Sequence, residues 1–228
     1  MTAAVAANFR QPMSLIAESF EQQTGHLARL IFGSSGKFFA QINQGAPFDL
    51  FFSADQAKPA ALVDAGLANA SSRITYAIGS LVLWSPRLDK VDDQGQVLRE
   101  QRYRRLAIAN PALAPYGEAA MQVVKRLSPA TAGQLIVGEN VAQAYQFVSS
   151  GNAELGLLAR SQVYRSGELI SGSAWSPPSE WYTPIRQDAV LLTAARENPA
   201  AQALMAFMVS PQAREVMHSY GYRTGAEQ

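Results

Sequence analysis

The amino-acid sequence predicts an α/β protein of two lobes. Apolar strand-like runs alternate with segments of helical periodicity along the 228 residues, which is the pattern of strand–helix units built on a parallel sheet. Turn-rich stretches interrupt this alternation, and a late strand-like run returns the chain to its first region. We therefore expect two α/β lobes joined by two crossing segments, with a ligand-binding cleft between the lobes.

Three strand–helix units begin the first predicted lobe. Each strand-like run ends at small or polar residues, and the helix that follows closes near a glycine, the residue that most easily takes the left-handed conformation at a helix end. The predicted strands cover residues 2–7, 27–31 and 48–52, and the helices after them end near Gly25, Gly45 and Gly66. The run 48–52 is almost continuously apolar, as expected of a strand buried on both faces.

The second predicted lobe repeats the alternation after a crossing near residues 79–83. Its strands are expected at 106–109, 135–137 and 155–158, its helices at 117–127 and 141–149, and a Gly-, Ser- and Pro-rich loop at 167–179. The run 182–193 then returns the chain to the first lobe, where helices starting near Asn198 and Pro211 complete it. The lobes are accordingly residues 1–80 with 191–228, and residues 81–190.

Five breaks between a strand-like run and the following helix carry almost no charge. A helix start presents main-chain N–H groups without intrahelical acceptors and the positive end of the helix dipole, which together suit an anion. Several such starts converging at one place would bind an oxyanion without any Arg or Lys. The breaks are Ala7-Asn8, Gly33-Ser34-Ser35-Gly36, Ser53-Ala54-Asp55, Pro115-Tyr116-Gly117 and Asn140-Val141.

Composition excludes several classes of function. The chain is 48% apolar and only 16% charged, which predicts a folded globular protein. Nineteen basic residues against eighteen acidic ones leave a net charge of +1, which argues against nucleic acid and anionic membranes as partners. Without cysteine there is neither thiolate chemistry nor a disulfide. His26 and His218 lack the spacing of metal ligands.

The residues alone leave the cellular compartment open. No apolar run reaches the roughly 18 residues of a membrane-spanning helix. Met1 leads directly into the first apolar run, without the basic stretch and apolar core of a secretory signal. A trimmed mature chain and a cytosolic protein would both begin in this way.

The breaks and the segments around them resemble one family, the periplasmic molybdate-binding proteins of ABC-type uptake systems, within the type II solute-binding fold. The most specific stretch is Gly45-Ala46-Pro47-Phe48-Asp49-Leu50-Phe51-Phe52-Ser53-Ala54-Asp55. Further matches follow in the family's order over nearly the whole chain: Ala6-Ala7-Asn8-Phe9, Gly33-Ser34-Ser35-Gly36, Ala40-Gln41-Ile42, Tyr76-Ala77-Ile78-Gly79-Ser80-Leu81-Val82-Leu83-Trp84, Ile108-Ala109-Asn110-Pro111, Ala114-Pro115-Tyr116-Gly117, Gly138-Glu139-Asn140-Val141 and Ser219-Tyr220-Gly221-Tyr222.

This resemblance implies a two-lobe type II periplasmic binding protein that binds molybdate or tungstate with high affinity and delivers it to the membrane permease of an ABC transporter. It implies a monomer in the periplasm, with no cofactor and with the metal bound only as an oxyanion. By similarity, the anion contacts would be Ala7, Asn8, Ser34 or more readily Ser35, Tyr116 and Val141, with main-chain N–H groups acting at Ala7 and Val141. Some members use a Tyr where this chain has Leu157-Leu158, so Tyr116 is expected to supply the phenol.

Other interpretations stay open. The same fold could bind a different oxyanion or small solute, such as sulfate, phosphate or an organic acid. A ligand-sensing regulator shares the architecture, but the chain shows no basic face for DNA. No Ser-His-Asp pattern, P-loop or dinucleotide fingerprint indicates an enzyme. Ser34, Ser35 and Asn8, taken one at a time, are also ordinary helix-capping residues.

Overall fold

The computed structural model describes residues 1–127 and 134–224. Its first stretch contains β1 Thr2–Ala6, α1 Arg10–Thr24, β2 Arg29–Gly33, α2 Ser35–Asn43, β3 Leu50–Phe52, α3 Ala57–Asp64 and β4 Ile74–Gly79. There follow β5 Leu81–Ser85, α4 Gln96–Arg99, β6 Leu106–Ala109, α5 Pro115–Leu127, β7 Leu135–Gly138, α6 Val141–Ser149 and β8 Leu155–Ala159. The last elements are β9 Tyr164–Arg165, β10 Glu168–Leu169, β11 Ser173–Trp175, β12 Ile185–Leu191, α7 Pro199–Phe207 and α8 Pro211–Ser219.

The chain divides into two compact units. Unit 1 is Met1–Ile78 with Arg186–Gln228, and unit 2 is Gly79–Ile185. The second border lies five residues earlier than the sequence-based partition places it, because Ala189, Val190 and Leu191 of β12 pair with β3 of unit 1. The partition into lobes that move as bodies stays a prediction. The predicted lobes also include residues 128–133 and 225–228, which lie outside the described residues.

Unit 1 is built on a five-stranded sheet in the order β2-β1-β3-β12-β4. β1 is the strand that organises it, since both β2 and β3 pair with β1 in parallel. Successive side chains of a strand point to opposite faces, so Ala3 and Val5 enter the core with α1, α7 and α8, while Ala4 enters the core with α2 and α3. Burial on both faces explains why these runs are apolar without alternation.

Unit 2 contains a second five-stranded sheet, in the order β11-β5-β8-β6-β7. β6 is parallel to both β7 and β8, and β5 runs antiparallel to β8. A Cβ at residue 117 would lie 2.3 Å from the carbonyl oxygen of Ala109. Gly117 therefore lets the start of α5 come close against the end of β6.

The predicted loop 167–179 contains two strands, the short β10 and β11. The stretch 167–179 includes β11, which pairs antiparallel with β5 and forms an edge of the unit 2 sheet. The turn before it depends on Gly172, whose φ is +78° and where a Cβ would lie 2.0 Å from the carbonyl oxygen of Ser85. Pairing with a distant strand thus outweighs the turn-forming composition of the segment.

Within the described ranges, none of the helices combines the length and apolar character needed to cross a bilayer.

Candidate functional site

The predicted contact residues of unit 1 lie together at one edge of its sheet. Ala6 of β1 is in register with Gly33 of β2, and Val5 of β1 with Phe52 of β3. The carboxyl ends of the three parallel strands therefore meet, and the loops that leave them are neighbours. Ala7 and Asn8 leave β1 in a single 3-10 turn, while Ser34 and Ser35 leave β2 at the start of α2. All four residues are buried.

The two serines hold different positions at the start of α2. Ser34 is the N-cap, and its side-chain oxygen accepts from the main-chain N–H of Lys37 at 3.4 Å. Ser35 is the first helical residue, only 1% exposed, and its Oγ accepts from the main-chain N–H of Ala54 at 2.9 Å. That bond uses a lone pair of Ser35 and leaves its hydroxyl hydrogen for another acceptor. The N–H groups of the first helical turn likewise have no acceptor within the helix.

The third junction of unit 1, Ser53-Ala54-Asp55 after β3, makes its hydrogen bonds within the unit. The N–H of Ser53 donates to the carbonyl of Asp188 at 2.9 Å, and its hydroxyl donates to Oδ1 of Asp55 at 3.2 Å. The Asp55 carboxylate also forms an ion pair with Lys58 and accepts a hydrogen bond from the main-chain N–H of Lys58. Ser53 therefore supports its neighbours at this edge, with its own donors engaged inside unit 1.

Asn8 uses its side chain differently from what the sequence predicts. Its amide nitrogen donates to Oε1 of Gln187 at 2.8 Å and to the hydroxyl of Tyr222 at 2.9 Å, and the Tyr222 hydroxyl donates to the Asn8 carbonyl at 2.9 Å. Both amide hydrogens are thus directed to protein partners. Any contact of this junction with an anion would therefore use main-chain N–H groups and not the side chain of Asn8.

Unit 2 brings Tyr116 and Val141 to an edge of its own sheet. β6 and β7 are parallel with Ala109 in register with Gly138, so the helices that follow them, α5 and α6, begin side by side. Tyr116 is the second residue of α5 and Val141 the first of α6, and both are buried. Asn140 caps α6 by accepting from the N–H groups of Ala142 and Gln143, which leaves the N–H of Val141 outside that cap.

The electrostatics of the unit 1 edge favour neutral donors. The Tyr76 hydroxyl donates to the carbonyl of Ser53 at 3.1 Å. Burial raises the pKa of Tyr76 well above its ordinary value, and the nearby Tyr222, Asp188 and Asp55 raise it further. The phenol therefore keeps its proton at neutral pH. Across residues 1–127 and 134–224, no group of three or more His, Asp or Glu side chains could hold a metal cation.

The chain is similar over nearly its full length to proteins named for molybdate binding. Residues 1–223 match the family model described as bacterial extracellular solute-binding protein. The chain belongs to this family. It is 52% identical over 221 residues to the molybdate-binding protein ModA of Azotobacter vinelandii, an alignment that covers 96% of this chain and 88% of the relative. It is 45% identical over 224 residues to ModA of Rhodobacter capsulatus, with 97% and 87% covered.

A solved structure of this extracellular solute-binding family confirms the predicted fold class. The periplasmic molybdate-binding protein of Azotobacter vinelandii superposes with a TM-score of 0.94 at 38% sequence identity, covering 98% of both chains. The resemblance that the sequence motifs indicate is confirmed by the same comparisons.

Sequence reasoning misses Gln187 at the unit 1 edge. The residue lies in β12, is 0% exposed, and contacts Asn8 and Tyr76 through hydrogen bonds. The signal that could have identified it is a Gln-Asp pair directly before the apolar run Ala189-Val190-Leu191 of the same strand, because buried polar side chains need specific partners. Tyr222 belongs to a quoted motif, but its contact with Asn8 is equally invisible without the fold.

Proposed function

We propose that this solute-binding protein is a high-affinity molybdate receptor that delivers the anion to an ABC transporter. The observation that carries the proposal is the edge of the unit 1 sheet, where the parallel strands β1 and β2 end in buried serine and main-chain donors. None of the six predicted contact residues is charged. The names of the close relatives point to the same anion.

A donor-only site suits molybdate because of the chemistry of the ligand. A tetrahedral dianion offers four acceptor oxygens and, when fully ionised, no proton. Main-chain N–H groups and Ser or Tyr hydroxyls all donate to such an acceptor. Each hydrogen bond to a charged group is worth roughly 1.5–3 kcal/mol, and each helix start adds about 0.3–1 kcal/mol. About six contacts therefore exceed the roughly 8 kcal/mol of micromolar binding after substantial desolvation costs.

The proposed anion donors come from both sets of strand ends. In unit 1 they are the main-chain N–H groups of Ala7 and Asn8, the Ser35 hydroxyl and the N–H groups that begin α2 behind Ser34. In unit 2 they are the Tyr116 hydroxyl and the main-chain N–H of Val141. The family resemblance supports the proposal that both sets bind the same anion, and substitution within each unit tests it.

Further parts of the proposal rest on the resemblance alone. We propose that tungstate binds as molybdate does, since the two dianions share charge and shape. The protein would act in the periplasm as a monomer, without a cofactor, and would present its cargo to a membrane permease.

Isothermal titration of ligand-stripped protein with molybdate, tungstate, sulfate and phosphate tests the function. One-to-one heat with the first two and none with the smaller sulfate is the expected result, because cavity size is what distinguishes tetrahedral dianions of equal charge. Competition with sulfate in excess controls for general anion binding. Heat from sulfate, phosphate or an organic acid alone would transfer the assignment to another solute, and silence from every anion in folded protein would overturn it.

A further inference from the structure

Four polar side chains form a buried cluster directly behind the β1 junction of unit 1. The cluster consists of Asn8, Tyr76, Gln187 and Tyr222. Oε1 of Gln187 accepts from the Asn8 amide at 2.8 Å and lies 3.1 Å from the Tyr76 hydroxyl. Tyr222 and Asn8 exchange two hydrogen bonds of 2.9 Å. The ring of Phe9 stands edge-on to both Tyr76 and Tyr222, with centroids 4.8 and 5.2 Å apart, so the cluster is enclosed by aromatic packing.

The Asn8–Gln187 hydrogen bond couples the orientations of the two amides, so that neither can be reversed alone. If the Gln187 amide were reversed, its nitrogen would face the nitrogen of Asn8, and two donors would meet. In the orientation observed, Nε2 of Gln187 is buried and has no hydrogen-bond partner among the described residues. A buried N–H without an acceptor is unfavourable. The cluster therefore keeps the hydrogen bond between Gln187 and Asn8 although one donor of Gln187 is left unpaired.

The cluster also connects the β1 junction to the two places where the chain passes between unit 1 and unit 2. Gln187 is the second residue of unit 1 after the chain returns, and Ile78 is the last before it leaves. Arg223, next to Tyr222, exchanges two main-chain hydrogen bonds with Ile78, of 2.7 and 3.1 Å. Asn8 is thus hydrogen-bonded directly to Gln187, where the chain returns to unit 1. It is also hydrogen-bonded to Tyr222, whose neighbour Arg223 pairs with Ile78, where the chain leaves unit 1.

We propose that Gln187 and Tyr222 are positioning residues of the anion site, holding Asn8 so that the main-chain N–H groups of the β1 junction face the ligand. This inference rests on the proposed function. The side chain at position 187 must be neutral, since a carboxylate behind these donors would repel a dianion. The two residues act through Asn8. Their substitution should therefore lower the molybdate affinity and leave the secondary structure unchanged.

The first test replaces Tyr222 by Phe and Gln187 by Met, which keep the packing volume and remove the hydrogen bonds. We expect the molybdate affinity of each variant to fall roughly tenfold, with circular dichroism unchanged. Combining Gln187→Met with Asn8→Ala separates positioning from a general structural role. If Gln187 acts through Asn8, the double variant binds about as well as Asn8→Ala alone. If the two act independently, their fold-losses multiply, and the proposal is overturned.

The second test introduces a charge with Gln187→Glu. The new carboxyl would be buried beside the Asn8 amide and the Tyr76 hydroxyl, with Asp188 next to it in β12 and Asp55, which is paired with Lys58, nearby. Arg73 is already paired with Asp188 at 2.6 Å. Burial raises the pKa of the new carboxyl, so it ionises at higher pH than an exposed Glu. Molybdate affinity of Gln187→Glu should fall at least tenfold from pH 6 to 8 as the carboxyl ionises.

Gln23→Glu, at an exposed position near the end of α1, controls for the added charge and should keep the wild-type affinity and pH profile. Gln187→Glu binding with the wild-type affinity and a flat profile would contradict the proposal. The wild-type protein is titrated first with molybdate, tungstate, sulfate and phosphate. Absence of any binding there refutes the proposed function, whereas wild-type binding with unaffected variants refutes only the positioning roles.

Discussion

At the scale of single residues, the two serines after β2 have separate tasks. Ser34 caps α2, whereas Ser35 lies one residue further, accepts from the N–H of Ala54 and keeps a hydroxyl hydrogen for a ligand. The family resemblance already favours Ser35 over Ser34, and the side-chain hydrogen bonds supply a physical reason for that preference. We therefore expect Ser35, and not Ser34, to contact the anion directly.

Alanine substitution separates these tasks. Ser35→Ala should weaken molybdate binding by roughly ten- to hundredfold, the equivalent of one hydrogen bond to a charged acceptor. Ser34→Ala should instead lower the free energy of unfolding by about 1 kcal/mol through loss of the cap, with a smaller effect on affinity. Titration calorimetry and denaturant unfolding measure the two quantities. Equal losses of affinity in both variants would contradict this division.

At the scale of helices and strands, the position of each predicted contact depends on how closely a helix start approaches a strand end. Gly117 permits this approach in unit 2, since a Cβ there would collide with the main chain of Ala109 and Asn110. Tyr116 directly precedes this glycine. Displacement of the first turn of α5 would therefore move the phenol that is expected to contact the anion.

Gly117→Ala tests the importance of this contact. The added methyl group meets main chain, which cannot move aside as a flexible side chain can, so overpacking should cost roughly 1–3 kcal/mol of stability. Molybdate affinity should fall as well, because Tyr116 is displaced. Lys125→Ala on the exposed side of the same helix is the control, with an expected change within about 0.5 kcal/mol. A Gly117→Ala variant with unchanged melting temperature and affinity would contradict the argument.

The strand–helix junctions are also the part of the fold that can be predicted from sequence. They are local, since an apolar run, a break at Gly33 and a cap at Ser34 lie within a few residues of one another. β11 is missed because its pairing with β5 joins residues about ninety positions apart, and its own composition resembles a loop. Gln187 is missed for the same reason, since its partner Asn8 lies 179 residues away. Non-local pairing leaves little trace in a local pattern.

At the scale of the whole molecule, recognition by neutral donors predicts binding that is insensitive to pH. None of the proposed contacts carries a carboxyl, amine or imidazole, and the raised pKa of Tyr76 keeps that phenol neutral. Molybdate affinity should vary by less than about threefold between pH 6 and 8. A histidine with its ordinary pKa would titrate within this pH range and change the affinity clearly. A steep protein-dependent loss within this range would contradict the donor set.

The same buried phenol affects stability only in alkali. The folded state keeps the Tyr76 proton, whereas the unfolded chain begins to lose its own near the ordinary pKa of about 10. The folded state then binds more protons, so the contribution of Tyr76 is fully present below pH 10 and is lost as the pH rises beyond it. The free energy of unfolding of Tyr76→Phe, measured by denaturant titration, should therefore fall less steeply than that of the wild type between about pH 10 and 11. An identical alkaline slope for both proteins would exclude this role.

Ligand-dependent melting tests whether one anion is served by both units. A ligand at a thousand times its dissociation constant stabilises the folded protein by about 4 kcal/mol, which raises the melting temperature of a chain of this size by roughly 10 °C. If donors of unit 1 and unit 2 serve the same molybdate, then Ser35→Ala in one and Tyr116→Phe in the other must each reduce this rise at a fixed ligand concentration. Sulfate at equal ionic strength is the control. A rise that only one of the two substitutions reduces would place the anion on that unit alone, because stabilisation by mass action depends solely on contacts that the folded protein makes with the ligand.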